Sequence, residues 1–142
     1  MDKTSVLQLN WKSREGGGGK TRRDYLDFVI DGQPLSETVG GDLASCLGWL
    51  VPAENARAVN QLLLKEPAVL PNNRRSLYVC PECGETDCGA VTAVIERIGD
   101  KIIWRDFGFE SNTDEVTPIR NYGNISFTFE RAQYNQALKG AL

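Results

Sequence analysis

The sequence contains no histidine. General acid–base chemistry loses its most frequent residue, leaving carboxylates and cysteine as the only substitutes. A surplus of positive charge is also missing: Lys and Arg total 16 against 19 Asp and Glu, for a net charge of -3. The chain as a whole therefore has no electrostatic pull toward phosphates, and nucleic acid is not the expected partner. No run approaches the roughly 18 apolar residues of a membrane helix. The opening MDKTSVLQLNWK has no apolar core of the kind a secretory signal carries, so a cytoplasmic location with no membrane partner is expected. Cysteine is scarce, with four in the chain, too few for a disulfide scaffold. The chain has no internal repeat.

What is present is ordinary globular composition. A chain of 142 residues that is 41% apolar and 25% charged can bury one core without staples, so residues 1–142 read as a single domain. Ser5 to Trp11 and Tyr25 to Ile30 alternate as strands, joined by a flexible basic loop with four glycines, Gly16 to Gly19. After the Asp31-Gly32 turn, Leu35 to Val39 reads as a short extended piece. Pro52 opens a helix that runs to about Lys65, with Ala56, Val59, Leu62 and Leu63 at helical spacing. Ser76 to Val79 is a strand. Ala90 to Ile98 and Lys101 to Phe107 form a hairpin across Gly99-Asp100, with Trp104 in the core. Glu110 to Asn124 reads as loop, Ile125 to Phe129 as a last strand, and Glu130 to Leu142 as a closing helix. The pattern predicts an α+β fold: an antiparallel sheet with helices packed on one face and a C-terminal helix.

Three constellations invite a chemical reading. Gly19-Lys20-Thr21 follows a strand, as in a phosphate-binding loop, but Arg14 stands where that loop requires its first glycine, and the residues after Thr21 alternate as a strand. Nucleotide binding is not expected. Cys80-Pro81-Glu82-Cys83 followed by Cys88 is a C-x2-C-x4-C turn, whose three thiolates can converge on a tetrahedral zinc ion. A closed site needs a fourth ligand, from Cys46 or from a carboxylate such as Glu85 or Asp87. The other reading is a reduced loop with no metal, its Gly84 and Gly89 serving tight turns. The third constellation is acidic: Asp106, Glu110, Asp114 and Glu115 read as solvated loop charges, with Mg²⁺ ligation the alternative. Asp106 shares a strand face with Ile102 and Trp104, so it is expected to point inward, held by an arginine or a backbone N–H. Trp49, Trp104, Phe107, Phe127 and Tyr134 are assigned to the core, and Trp11, Phe109 and Tyr122 to positions that a partner can reach.

Ser76-Leu77-Tyr78-Val79-Cys80-Pro81-Glu82-Cys83-Gly84 through Cys88-Gly89-Ala90-Val91, with Trp104-Arg105-Asp106-Phe107 and Phe127-Thr128-Phe129-Glu130-Arg131-Ala132-Gln133-Tyr134, resembles a group of uncharacterised small bacterial proteins. The resemblance covers the second half of the chain, with an echo at Phe28-Val29-Ile30-Asp31-Gly32. In size and acidity these proteins are similar to the immunity proteins of bacterial toxin systems. The resemblance implies a binding protein with a toxin as partner; with no catalytic apparatus readable, no enzyme is expected, and the acidic loop and its neighbours, Asp106, Phe109, Glu110, Asp114, Glu115 and Tyr122, are the expected binding surface. The alternative is a zinc-bearing accessory or regulatory module built on the Cys80 to Cys88 loop.

Overall fold

The computed structural model describes residues 3–68, 70–82, 89–110 and 120–142, the side chains of 71, 120 and 121 excepted. The fold is α+β and mostly strand, as the alternation predicts. Two antiparallel sheets take the place of the single sheet expected. The first has the order β1 (Leu7–Arg14), β2 (Arg23–Ile30), β3 (Gln33–Pro34). The second runs β4 (Ala44–Ser45), β5 (Arg74–Val79), β6 (Ala90–Ile98), β7 (Lys101–Glu110), β8 (Arg120–Asn121), and β9 (Phe127–Glu130) shares the outer side of β7 with β8. Gly99-Asp100 closes the β6/β7 hairpin in the predicted register, Ile98 opposite Lys101.

Three helices complete the chain among the described residues: α1 (Leu35–Val39), α2 (Pro52–Leu62) and α3 (Arg131–Lys139). The first corrects the sequence expectation of an extended piece. Over five residues a strand and a helical turn both place the first and last side chains together, and Leu35 and Val39 do pack on the core. Pro52 opens α2 as expected, burying Val59 and Leu62. In α3, Tyr134 and Leu138 stand one turn apart and are fully buried. No helix among the described residues is long and apolar enough to cross a membrane.

Aromatic packing joins the two sheets. Phe28 of β2 meets Tyr78 of β5 and Trp104 of β7 edge to face, with centroids 5.6 and 5.4 Å apart. Trp104 is fully buried, as expected, and also contacts Phe107, Phe129 and Tyr134. Trp49, assigned to the core, is only partly buried, and its ring carries the Arg23 guanidinium 4.5 Å above it.

β7 holds the fold's most consequential irregularity. Its pairing with β6 slips between Val94↔Arg105 and Thr92↔Gly108, so Asp106 and Phe107 together face Ala93, and Asp106 takes a φ of 54°. An extra residue in one strand reverses every later side chain. Phe107 takes the inward place, and Asp106, expected inside, turns out to solvent and pairs with Arg105.

Candidate partner-binding face

The sheet register gathers the chain's loops at one end. Ala44, Val79, Ala90 and Glu110 lie in one row across β4 to β7. Beyond that row the chain leaves β5 and returns to β6 through residues 80–89, and leaves β7 through residues 111–119. Cys83, Asp87, Cys88, Asp114 and Glu115 lie outside the described residues. Gly89 sits at the mouth of the first loop with a φ of 109°, and a Cβ there would stand 2.5 Å from the Phe109 ring. Only glycine lets that ring lie across the loop's return.

The glycine-rich β1/β2 loop is clamped to the same end. Its tip is a tight turn, with Gly17 and Lys20 exchanging two backbone hydrogen bonds. At its base, Arg14 donates to both Asp42 oxygens at 2.9 Å and to Glu82 Oε1 at 2.7 Å. Glu82 in turn accepts from the Thr21 N–H at 2.7 Å and the Thr21 hydroxyl at 2.8 Å. Arg23 donates to the Pro81 carbonyl at 2.8 Å. One guanidinium therefore ties three loops together: 15–22, the turn around Asp42, and the start of the cysteine loop. Its planar fork suits this role in a way a lysine would not.

The charges respond. Arg14's hydrogen bonds, first to Asp42 and then to Glu82, push its guanidinium above its usual value, and Arg14 in turn holds the Asp42 carboxyl below the usual range. Glu82 is lowered to about 2, by the Arg14 hydrogen bond first and the two Thr21 donors next. A depressed folded value means that this tie is complete above the ordinary 4.5 and is lost as pH falls toward 2. In the Arg14→Gln variant the Glu82 carboxyl should titrate much closer to 4.5, read by carboxyl-carbon NMR. A midpoint still near 2 would show that Thr21 alone sets it.

Against this clamp lies a depression of about 510 Å³, walled by Val39 to Leu43 on one side and by Cys80, Phe109 and Tyr122 on the other. Phe109 and Tyr122, expected where a partner can reach, are half-buried and packed on the core, and both line this wall. Glu110 is not a solvated loop charge. It ends β7, and its carboxylate accepts from Arg74 Nε at 3.0 Å and Thr92 Oγ1 at 2.7 Å, with 11% of the side chain exposed. The inward acid held by an arginine is thus Glu110, while Arg74 donates to the Asp106 backbone carbonyl at 2.6 Å.

A second polar cluster lies behind the Gly40 to Leu43 turn. Asp27, 2% exposed, accepts from the Tyr78 hydroxyl, the Phe28 N–H and the Ser36 hydroxyl, and Lys12 donates to Ser36 Oγ at 2.7 Å. Burial and the neighbouring carboxylate push the Tyr78 phenol well above its usual value and Tyr25 up to about 12. Both phenols are neutral hydrogen-bonding groups. With three donors satisfied, the carboxylate bolts β5 and α1 onto β2.

Cys46, a candidate fourth ligand, lies just past β4. It follows Ser45, which pairs with Tyr78, two residues before Cys80. Burial pushes its thiol up to about 12, so without a metal it is protonated. Among the described residues no group of three or more Cys, Asp or Glu is placed to hold an ion.

Arg14, Asp42, Glu82 and Asp27 escaped the sequence reading. Asp27 carried a signal, an acid inside the run Leu26 to Ile30, which calls for a buried partner. The Arg14 clamp carried none, since its members lie up to 68 residues apart. No protein-family model matches the chain, and no curated protein or solved structure matches it.

Proposed function

We propose that this protein is a binding module that takes a protein partner at its loop end, and that the partner is a basic bacterial toxin which it neutralises. The binding reading rests on the Arg14 clamp. Charge-assisted hydrogen bonds tie the 15–22 loop to the Asp42 turn and to Glu82 before any partner arrives, which removes part of the entropic cost of association. Phe109 and Tyr122 supply the aromatic anchors that binding surfaces use. The toxin assignment rests on the acidic balance and on the resemblance to small immunity proteins. Glu110, committed to Arg74, leaves the surface set; Asp106, Asp114 and Glu115 remain in it.

The test uses the partner that co-purifies with the chain. Asp114→Asn with Glu115→Gln should slow association and flatten its dependence on salt, because rim charges act on the encounter rate. Unfolding free energy should change by less than about 0.5 kcal/mol. Association kinetics identical to wild type would move the contact off this loop. The zinc module stays as a second reading on one observation: Val79 pairs with Ala90, so the loop from Cys80 to Gly89 is closed at its mouth. About one zinc per chain, lost together with stability in Cys83→Ser, would favour it.

A further inference from the structure

Among the described residues, the outer edge of β1 is open beyond its first residue. Val6 directs its carbonyl to the Asp31 N–H on the β2 side, so Gln8, Asn10 and Lys12 turn their backbone groups to β2 and Leu7, Leu9 and Trp11 turn theirs away. Leu7 is served by a side chain acting as a strand: the Gln133 carboxamide accepts from the Leu7 N–H at 3.0 Å and donates to its carbonyl at 2.5 Å. Leu9 and Trp11 have no such partner among the described residues, and β1 ends its sheet. Alongside them runs a groove of about 540 Å³ between β1 and α3. Trp11 stands over it 65% exposed, and its ring rests against Gly48, where, with φ 97°, a Cβ would come within 2.9 Å of it. An unpaired strand edge with an exposed aromatic is a template for another strand.

We propose that the occupant is β1 of a second copy, added antiparallel about a two-fold axis at Asn10. That axis sets Leu9 level with Trp11 of the second copy and Trp11 level with its Leu9, two pairs exchanging four backbone hydrogen bonds. Leu9 and Trp11 lie on the same sheet face, so each tryptophan meets the other copy's leucine. The ladder ends by itself, because Ser13 would next face Leu7, whose groups Gln133 already holds. Charge selects the second copy over a foreign strand. Every described residue lining the groove is uncharged, the polar ones being Gln8, Asn10, Gln133 and Gln136. Identical surfaces can meet there without like-charge repulsion, whereas a partner chosen by charge would find nothing to read. The groove shares no lining residue with the loop-end depression, so this contact is independent of the toxin reading.

Sedimentation velocity across a concentration series, run with hydrogen exchange on the same samples, tests it. The chain should self-associate to a dimer, and the Leu9 and Trp11 amides should gain protection as the dimer forms. Leu9→Pro removes only an N–H that β2 does not use and should yield monomer. If that variant fails to fold, Trp11→Lys keeps the strand and should raise the self-association midpoint at least about tenfold. A chain that stays monomeric throughout overturns the proposal. So does a dimer in which the two amides exchange as freely as in the monomer, or protection that appears only with a foreign partner.

Discussion

Replacing Trp104 with alanine should cost about 3–5 kcal/mol of unfolding free energy, a large share of the 5–15 kcal/mol that holds a domain of this kind. The ring is fully buried and makes aromatic contact with Phe28, Phe107, Phe129 and Tyr134, with centroids between 5.2 and 6.4 Å away. Its indole N–H donates to the Tyr134 hydroxyl at 3.2 Å, which donates to the Leu62 carbonyl at 2.5 Å. Removing it opens a cavity where β2, β7, β9 and α3 converge and orphans one acceptor of a chain that reaches α2. Urea unfolding gives the number. A loss under about 1 kcal/mol would mean that the surrounding rings collapse into the space, so that Trp104 is not the keystone its contacts imply.

The second large effect concerns Arg74 and Glu110. Arg74→Met should destabilise the fold by about 3–5 kcal/mol, since it leaves a buried carboxylate without its cation. Pairing it with Glu110→Leu should recover most of that loss, because the apolar pair carries no desolvation cost. The cycle separates two views of Glu110. A residue that serves a partner would be nearly silent in stability, and one that holds β7 to β5 and β6 would not. If the double variant is as unstable as the single, the role of Arg74 lies in its bond to the Asp106 carbonyl at the bulge.

Much of the fold was legible in the sequence because it is built from local repetition. The strands β1, β2, β6 and β7, the Gly99-Asp100 turn, the opening of α2 at Pro52 and the burial of Trp104 all follow from alternation, helical spacing or turn residues. What escaped depends on single positions or on distance along the chain. The bulge at Asp106 shifts the phase of β7 by one residue, and nothing in Trp-Arg-Asp-Phe announces it. That shift exchanges the expected roles of two acids, turning Asp106 outward and leaving Glu110 beside Arg74. Strands of two residues such as β3, β4 and β8 are too short for any period to register. The candidate site was legible only in part. Phe109 and Tyr122 were chosen for standing next to loops, whereas the clamp at the same end depends on Arg14 meeting Glu82 across 68 positions.

The Gln133 carboxamide seated on Leu7 has a consequence for how the chain is made. The bond spans 126 positions, and Ser5 makes a similarly distant one to the Thr128 carbonyl, at 2.7 Å. During synthesis β1 and β2 can pair as soon as both have left the ribosome. The edge of β1 then waits, uncapped, for β9 and α3 to emerge. At 5–20 residues per second, that wait lasts on the order of ten seconds. Nascent chains crowded on one message would present that edge to each other throughout the interval. Final closure of the fold is therefore a late event, set by translation as much as by the chain's own search.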